Sequence, residues 1–278
     1  MNKVPHHEIN LDDLEKLAAQ GVSRAALFMG LGLNAAQRED FTDYELSKVP
    51  IDALTNHTAV TLVPPGADSP TVRQYKREFA RWIISAGLGE VLEHYAHLLN
   101  HLHYHALVVF RVQGKGRHFG DFEAAQQNFV EASDVGEKIN QLKQRFEVST
   151  TFDPCIRSLN QLRNAITHNF GVIGPKQVTD NELVVEWYAF EMFMRSVDGG
   201  NPIPMRRMIG QEVAEEPEVT LKRLKREHRF KVGDPINLSR EQLEEICLFF
   251  RSGCIPEIKA KFLDFLHRHQ VPVNLAIH

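Results

Sequence analysis

Residues 162–171 have the sequence Leu162-Arg163-Asn164-Ala165-Ile166-Thr167-His168-Asn169-Phe170-Gly171. They close a predicted helix that begins at Asp153, a good N-cap residue, with Pro154 at its first position. Gly171 is the residue type that most often follows the last turn of a helix. Apolar residues recur at helical spacing between these ends, at Ile156, Leu159, Leu162 and Ile166. The pattern predicts a helix with one apolar face that ends shortly after His168.

This helix, the motif helix, carries a guanidinium at Arg163 and an imidazole at His168. A guanidinium stays charged and can hold two phosphate oxygens, whereas an imidazole titrates near neutral pH. Such groups can cleave RNA without a metal. A base takes the proton of the 2′-hydroxyl, the oxygen attacks phosphorus, and an acid protonates the leaving 5′-oxygen. The expected product is a 2′,3′-cyclic phosphate.

Helical geometry separates these two side chains. Positions five apart differ by roughly 140° around an ideal helix, so Arg163 and His168 do not share a face. Asn164 and Arg157 do lie on the face of His168, and Arg157 is a reserve candidate for the phosphate contact. Either the Arg163 side chain reaches round the helix, or the last turn loosens, or a second copy completes the site.

The run from Arg163 to His168 resembles the signature of HEPN domains, an arginine followed after four to six residues by a histidine, often with asparagine directly after the arginine. Helices before and after the run fit that family over about residues 67–270. The resemblance implies a helical bundle. In many members this is a metal-independent endoribonuclease of toxin–antitoxin or antiviral systems, with its site between two protomers. Arg163 and His168 would be catalytic and Asn164 supporting. Other members are inactive binding or scaffold domains.

The rest of the chain divides into an appended region, residues 1–66, and a helical domain, residues 67–278. In the first region we expect helices over residues 11–20 and 23–31, stopped between them by Gly21, and a strand over 57–63. In the second, a long helical segment starts at Ser69 and is expected to bend or break at Gly87 and Gly89. Another long helix is expected from residue 122 to residue 146.

The pattern changes after the motif helix. β-branched and aromatic residues over 183–194, with a turn at 199–202, predict a hairpin, and a later strand is expected near Phe230. We treat residues 183–235 as a β insertion. Ser239 and Gln242 form a capping box that begins a helix, and residues 253–256 are expected to separate it from a last helix over 257–269.

Composition restricts the possible functions. Hydrophobic residues make up 43% and charged residues 24%, as in ordinary globular chains. The net charge of −4 limits any nucleic-acid site to a local patch. Cys155, Cys247 and Cys254 show no pairing pattern, which suits a reducing compartment. The first residues lack the apolar segment of a secretory signal, and no stretch is apolar enough to span a bilayer. We expect a cytoplasmic protein without a membrane partner.

Two further groups of side chains invite a function. His94, His97, His101 and His105 follow one helical face with i, i+4 spacings that can hold a metal. Only Glu90 and Glu93 offer acidic ligands nearby, so a polar contact surface is favoured over a metal site.

The second group is a basic run, which suits an RNA backbone but could also be a solvated element balanced by upstream glutamates. The RNA-binding candidates in this run are Lys222, Arg223, Lys225 and Arg226. Arg157 of the motif helix is a further RNA-binding candidate. Another basic cluster, Arg73, Lys76, Arg77 and Arg81, is interpreted as an ordinary exposed helix face.

These observations favour a mainly α fold, a HEPN-like helical bundle with a small antiparallel β element between the motif helix and the C-terminal helices. The leading hypothesis is a homodimeric, metal-independent endoribonuclease that needs no cofactor, acts in defence or as a toxin, and has RNA and an antitoxin-type protein as candidate partners. The first alternative is a non-catalytic HEPN-like or plain helical protein that binds a nucleotide or another protein. The second is a helical metal-binding protein that uses the face from His94 to His105.

Overall fold

The computed structural model describes residues 10–38, 69–114, 122–132, 134–169, 171–195, 203–205 and 218–271. Within these ranges five helices precede a sheet: α1 (Leu11–Gln37), α2 (Ser69–Val112), α3 (Phe122–Glu131), α4 (Val135–Phe146) and α5 (Asp153–His168). The strands are β1 (Glu182–Arg195), β2 (Ile203–Pro204) and β3 (Glu218–Lys231). Helix α6 (Arg240–Phe249), a π-helical turn (Phe250–Cys254) and α7 (Ile255–Arg268) follow. The predicted mainly helical class, with a small antiparallel sheet between the motif helix α5 and the C-terminal helices, is confirmed.

Helices α1 and α2 pack together, and their glycines allow the contact. A Cβ at Gly21 would lie 2.3 Å from Cγ of His94, and one at Gly87 would lie 2.0 Å from Cγ of Met29. The predicted stop at Gly21 and the predicted break at Gly87 and Gly89 are therefore wrong. The glycines lie inside long helices because neighbouring side chains occupy the space of their missing Cβ atoms.

Helix α1 belongs to the same apolar core as the later helices, through Val22, Ala25 and Met29. Lys259 of α7 forms ion pairs with Asp12 and Glu15 in the first turns of α1. Part of the region 1–66, including the strand expected over 57–63, lies outside the described residues.

The single helix expected over residues 122–146 is divided into α3 and α4. The Asp134 carboxylate caps α4, since Oδ1 accepts from the amides of Gly136 at 2.6 Å and Glu137 at 3.2 Å. Lys138, which is buried, donates from Nζ to the carbonyl of Val130 at 2.9 Å and to that of Phe129. The buried ammonium satisfies carbonyls at the end of α3 that have no partner within the helix.

The motif helix α5 has the predicted extent with a different first turn. Phe152 is the N-cap, and Asp153 is the first helical residue. The Asp153 carboxylate accepts from the hydroxyl of Thr150 at 2.6 Å, and burial raises its pKa. At the other end Gly171 has a φ of +77° and donates its amide to the carbonyl of Ile166 at 3.2 Å. The left-handed conformation favours glycine and turns the chain away from the helix.

The sheet has the order β2-β1-β3 and is antiparallel. Strand β1 pairs with β2 at Phe193 opposite Pro204, which confirms the hairpin, although the turn expected at residues 199–202 lies outside the described residues. Strand β1 also pairs with β3 from Glu182 opposite Lys231 to Arg195 opposite Glu218, which confirms the strand near Phe230. Alternate residues of β1 are buried: Leu183, Val185, Trp187 and Ala189. The Trp187 indole donates to Glu245 of α6 at 2.9 Å, which joins the sheet to the C-terminal helices.

The capping box of Ser239 and Gln242 is present at the start of α6. The break expected at residues 253–256 is wrong, because the chain continues from α6 into α7 through the π-helical turn. Gly253 lies in that turn, where a Cβ would come within 2.9 Å of the ring of Phe190. Within the described residues, no helix has the length and apolar character needed to cross a membrane.

Candidate functional site

An open groove of about 860 Å³ lies between α2 and the C-terminal half of α5. A pair of hydroxyls joins the two helices along it. The Thr167 hydroxyl donates to the carbonyl of Arg163 at 3.0 Å, and Oγ of Ser85 lies 3.2 Å from the Thr167 oxygen. Because the Thr167 proton is engaged within α5, Ser85 donates in this second bond. The contact fixes the separation of the two helices where the motif meets α2.

Arg163 lines this groove and is half-buried. Its side chain reaches α2, where a Cβ at Gly89 would lie 3.7 Å from the Arg163 Nε atom. Nη1 donates to Oδ1 of Asn164 at 3.1 Å. Among the described residues, Arg163 has no carboxylate partner at ion-pair distance. The guanidinium is therefore oriented by an amide and keeps its full positive charge for a ligand.

Arg81 reaches across the groove in the opposite direction. It starts on α2, and its Cδ atom would lie 3.5 Å from a Cβ placed at Gly171, just beyond the end of α5. Arg81 is half-buried, lines the groove, and has no ion-pair partner within the part of the chain that the structure describes. The sequence pattern predicts an ordinary exposed helix face for Arg81, whereas the structure places it at the groove as a second cation.

Trp82 also lines the groove, and 66% of its surface is exposed. Its ring stacks on Phe79 with centroids 6.2 Å apart and planes 13° from parallel. Tryptophan is highly buried on average, so an exposed ring that forms a patch with a second aromatic side chain is a candidate contact surface. The sequence held the signal for this residue, since aromatic side chains interleave with the basic cluster from Arg73 to Arg81.

His168 does not line the groove. It is the last residue of α5 and is exposed, and its ring makes no hydrogen bond or ion pair with the described residues. The structure therefore places Arg163 at the groove, joins Asn164 to it by a hydrogen bond, and leaves His168 facing solvent. The angular separation inferred from helical geometry is consistent with this arrangement.

Arg157, the reserve candidate, points toward α4. Its Nη2 atom donates to Oδ1 of Asn140 at 2.7 Å, and a Cβ at Gly136 would lie 3.0 Å from its Nη1 atom. Arg157 is not among the residues that line the groove.

The basic run lies on β3, where several of its charges meet carboxylates. Lys225 contacts Glu186 at 2.6 Å, and Arg226 contacts both Glu191 at 2.7 Å and Glu245 at 3.1 Å.

The remaining two RNA-binding candidates of this run pack against aromatic rings. Lys222 lies 4.8 Å from the ring centre of Phe193, and Arg223 lies 6.0 Å from that of Phe152. The strand therefore offers less uncompensated positive charge than its sequence suggests.

Two glutamates of α2 lie between the groove and the histidine face from His94 to His105. Glu90 lies 3.6 Å from His94, and Glu93 lies 3.8 Å from His97. Both glutamates line the groove. No three histidine, cysteine, aspartate or glutamate side chains among the described residues are grouped so that they could hold a metal ion.

Comparison with known proteins finds no matching family model, no similar curated protein and no similar solved structure. The function must therefore be inferred from the groove and from the motif itself.

Proposed function

We propose that this protein is a metal-independent endoribonuclease whose site is completed between two copies of the chain. The observation that carries the proposal is the Arg163 guanidinium, held in an open groove without a carboxylate partner among the described residues. A half-buried guanidinium that makes no ion pair can bind an anion, and the phosphodiester of RNA is an anion that a guanidinium binds in bidentate geometry.

In this proposal Arg163 holds the scissile phosphate and stabilises the charge that builds on its oxygens. Asn164 orients the guanidinium by accepting its Nη1–H. One imidazole takes the 2′-hydroxyl proton, the O2′–P bond forms and the P–O5′ bond breaks, and a second imidazole protonates O5′. His168 of each copy supplies one imidazole, which is why its exposed position at the end of α5 suits a site shared by two chains.

The test is cleavage of a 5′-labelled RNA in EDTA, with product ends identified as 2′,3′-cyclic phosphate and 5′-hydroxyl. We expect His168→Ala and Arg163→Ala each to lower the rate by at least about 100-fold, the range typical of lost acid–base or oxyanion groups. His101→Ala and Arg251→Ala are matched controls, since both residues are exposed and outside the groove. Equal cleavage by His168→Ala and its control would remove the proposal.

A second candidate function follows from the position of His168. Because that side chain does not line the groove of its own chain, the groove can bind a nucleotide or a protein partner without turnover. RNA binding that requires Arg163 but never yields cleaved product would favour this non-catalytic function. A toxin or defence role with an antitoxin-type partner is supported only by the motif resemblance.

A further inference from the structure

We infer that the groove takes single-stranded RNA, with one base stacked on Trp82 and the backbone phosphates held by Arg81 and Arg163. This inference rests on the proposed function, because the strand in the groove is taken to be the RNA that the nuclease cleaves. It adds to that function a base-binding residue, a second phosphate-binding residue and a preference for unpaired RNA.

The two guanidiniums mark two ends of one track. Arg163 crosses to α2 at Gly89, and Arg81 crosses to the end of α5 at Gly171. Positions 81 and 89 of α2 are separated by about 12 Å along the helix axis, at 1.5 Å per residue. Between them lies the hydroxyl pair of Ser85 and Thr167, which are neutral hydrogen-bonding groups. A ligand that satisfies both guanidiniums is therefore extended and carries more than one negative charge.

Trp82 supplies a flat apolar surface beside this track. It lines the same groove as Arg81, and the stacking of its ring on Phe79 limits its motion. Bases stack on aromatic side chains in proteins that bind single strands, and every base offers such a face. In a duplex those faces are covered by neighbouring bases, so the arrangement favours RNA that is not paired.

Three acidic residues of α2 line the same groove and restrict where a phosphate can lie. Glu78, Glu90 and Glu93 line the groove together with Trp82. Glu90 is only partly compensated, at 3.7 Å from Arg24 and 3.6 Å from His94. Carboxylates repel a phosphate but accept hydrogen bonds from the exocyclic amines of bases. The phosphates are therefore directed to the two guanidiniums, and the glutamates are left to accept hydrogen bonds from the bases.

The binding test uses the full-length His168→Ala protein, so that RNA is not consumed under the proposed function. The protein is titrated into a fluorescein-labelled unstructured RNA of about 12 nucleotides, long enough for one chain's groove. A labelled hairpin of the same composition is titrated in the same way, and binding is followed by fluorescence anisotropy. Adding Trp82→Ala is expected to weaken binding of the unstructured RNA by about tenfold, the usual effect of losing one stacked base. Adding Arg81→Ala is expected to weaken it and to reduce its salt dependence.

Phe28→Ala is the matched control, because Phe28 is an aromatic residue of α1 with 60% of its surface exposed and lies outside the groove. It is expected to leave the affinity unchanged. Quenching of tryptophan fluorescence gives a second readout, since the chain has two tryptophans and the other, Trp187, is only 2% exposed. Unlabelled RNA should quench the emission of the Trp82-containing protein and not that of Trp82→Ala.

The inference is overturned if Trp82→Ala and Phe28→Ala bind the unstructured RNA equally, or if the hairpin binds more tightly than the unstructured RNA. These outcomes are separate from failure of the nuclease. Cleavage that depends on His168 but is unaffected by Trp82→Ala would keep the proposed function and reject the base stack. Binding through Trp82 with no cleavage in the unmodified protein would keep the groove's ligand and reject the nuclease.

Discussion

Replacing His103 with phenylalanine should change how the stability of the protein depends on pH. His103 is buried on α2, and its ring lies 3.9 Å from that of Phe129 at 8° from parallel. Nδ1 is 2.7 Å from Oε1 of Gln126, whose Nε2 donates to the carbonyl of Asn100 at 3.1 Å. Because that amide must present its oxygen to His103, Nδ1 carries the proton, and Nε2 is left buried without a partner among the described residues.

Protonation of Nε2 would bury a charged N–H group that has no acceptor. Burial accordingly lowers the pKa of His103 from 6.5 to about 4, with smaller effects from Arg145 and Lys138. Since the unfolded chain then binds the proton more readily, stability is fully present above pH 6.5 and is lost as the pH falls toward 4. At about 1.4 kcal/mol per pH unit, the loss from this one group amounts to about 3 kcal/mol.

The assay is urea unfolding of the parent protein and of His103→Phe at pH 7 and pH 4. Phenylalanine can keep the stack on Phe129 but cannot bind a proton. At pH 7 the variant should be less stable by about 1 kcal/mol or more, because the hydrogen bond to Gln126 is lost. At pH 4 the variant should have gained about 3 kcal/mol relative to the parent.

The matched control is Leu99→Val, which removes apolar volume at a fully buried position of the same helix and no titratable group. It should lower stability by a similar amount at both pH values. If the difference between the parent and His103→Phe is the same at pH 7 and pH 4, the assignment of a buried neutral imidazole is wrong.

Two further predictions concern the packing of the helices, each measured by urea unfolding at pH 7. Gly21→Ala should lower the free energy of unfolding by about 1–3 kcal/mol, since the new Cβ would lie 2.3 Å from the His94 ring. The control Gly30→Ala, whose Cβ would have nothing within 4 Å, should be neutral or stabilise by up to about 1 kcal/mol. Equal effects of the two variants would contradict the close approach of α1 and α2. Lys138→Met should lower the free energy of unfolding by about 1–3 kcal/mol, because the carbonyls at the end of α3 would lose their buried donor. The control Lys143→Met, at an exposed position, should change stability by less than about 0.5 kcal/mol. Similar losses in both variants would show that the buried ammonium does not stabilise α3.

Local signals predicted the elements that they control. The capping box at Ser239, the extent of the motif helix and the β strand over residues 183–194 depend on neighbouring residues, and all three are present. The division between α3 and α4 also had a local signal, Asp134 followed three residues later by Glu137, that the apolar periodicity of the segment hid.

The features that sequence reasoning missed depend on contacts between distant parts of the chain. Gly21 and Gly87 look like helix breakers, and only the position of the opposing helix shows that they permit close packing. The same holds for Arg81 and Trp82. The sequence pattern placed Arg81 on an exposed helix face, but it could not show that the end of α5 makes a groove beside Arg81 and Trp82.

The distribution of ion pairs across the described residues favours a bound anion in the groove. Lys259 has two carboxylate partners, and Arg226 and Arg229 each contact two glutamates. Arg81 and Arg163 have none among the described residues, although both are half-buried and line one cavity. Glu78, Glu90 and Glu93 line the same cavity without forming an ion pair with either arginine, so the N–H donors of both guanidiniums have no carboxylate there, and a bound phosphate chain would supply the missing acceptors. The unpaired guanidiniums are therefore better explained by a ligand than by the fold, and losing either should weaken RNA binding more than it lowers stability.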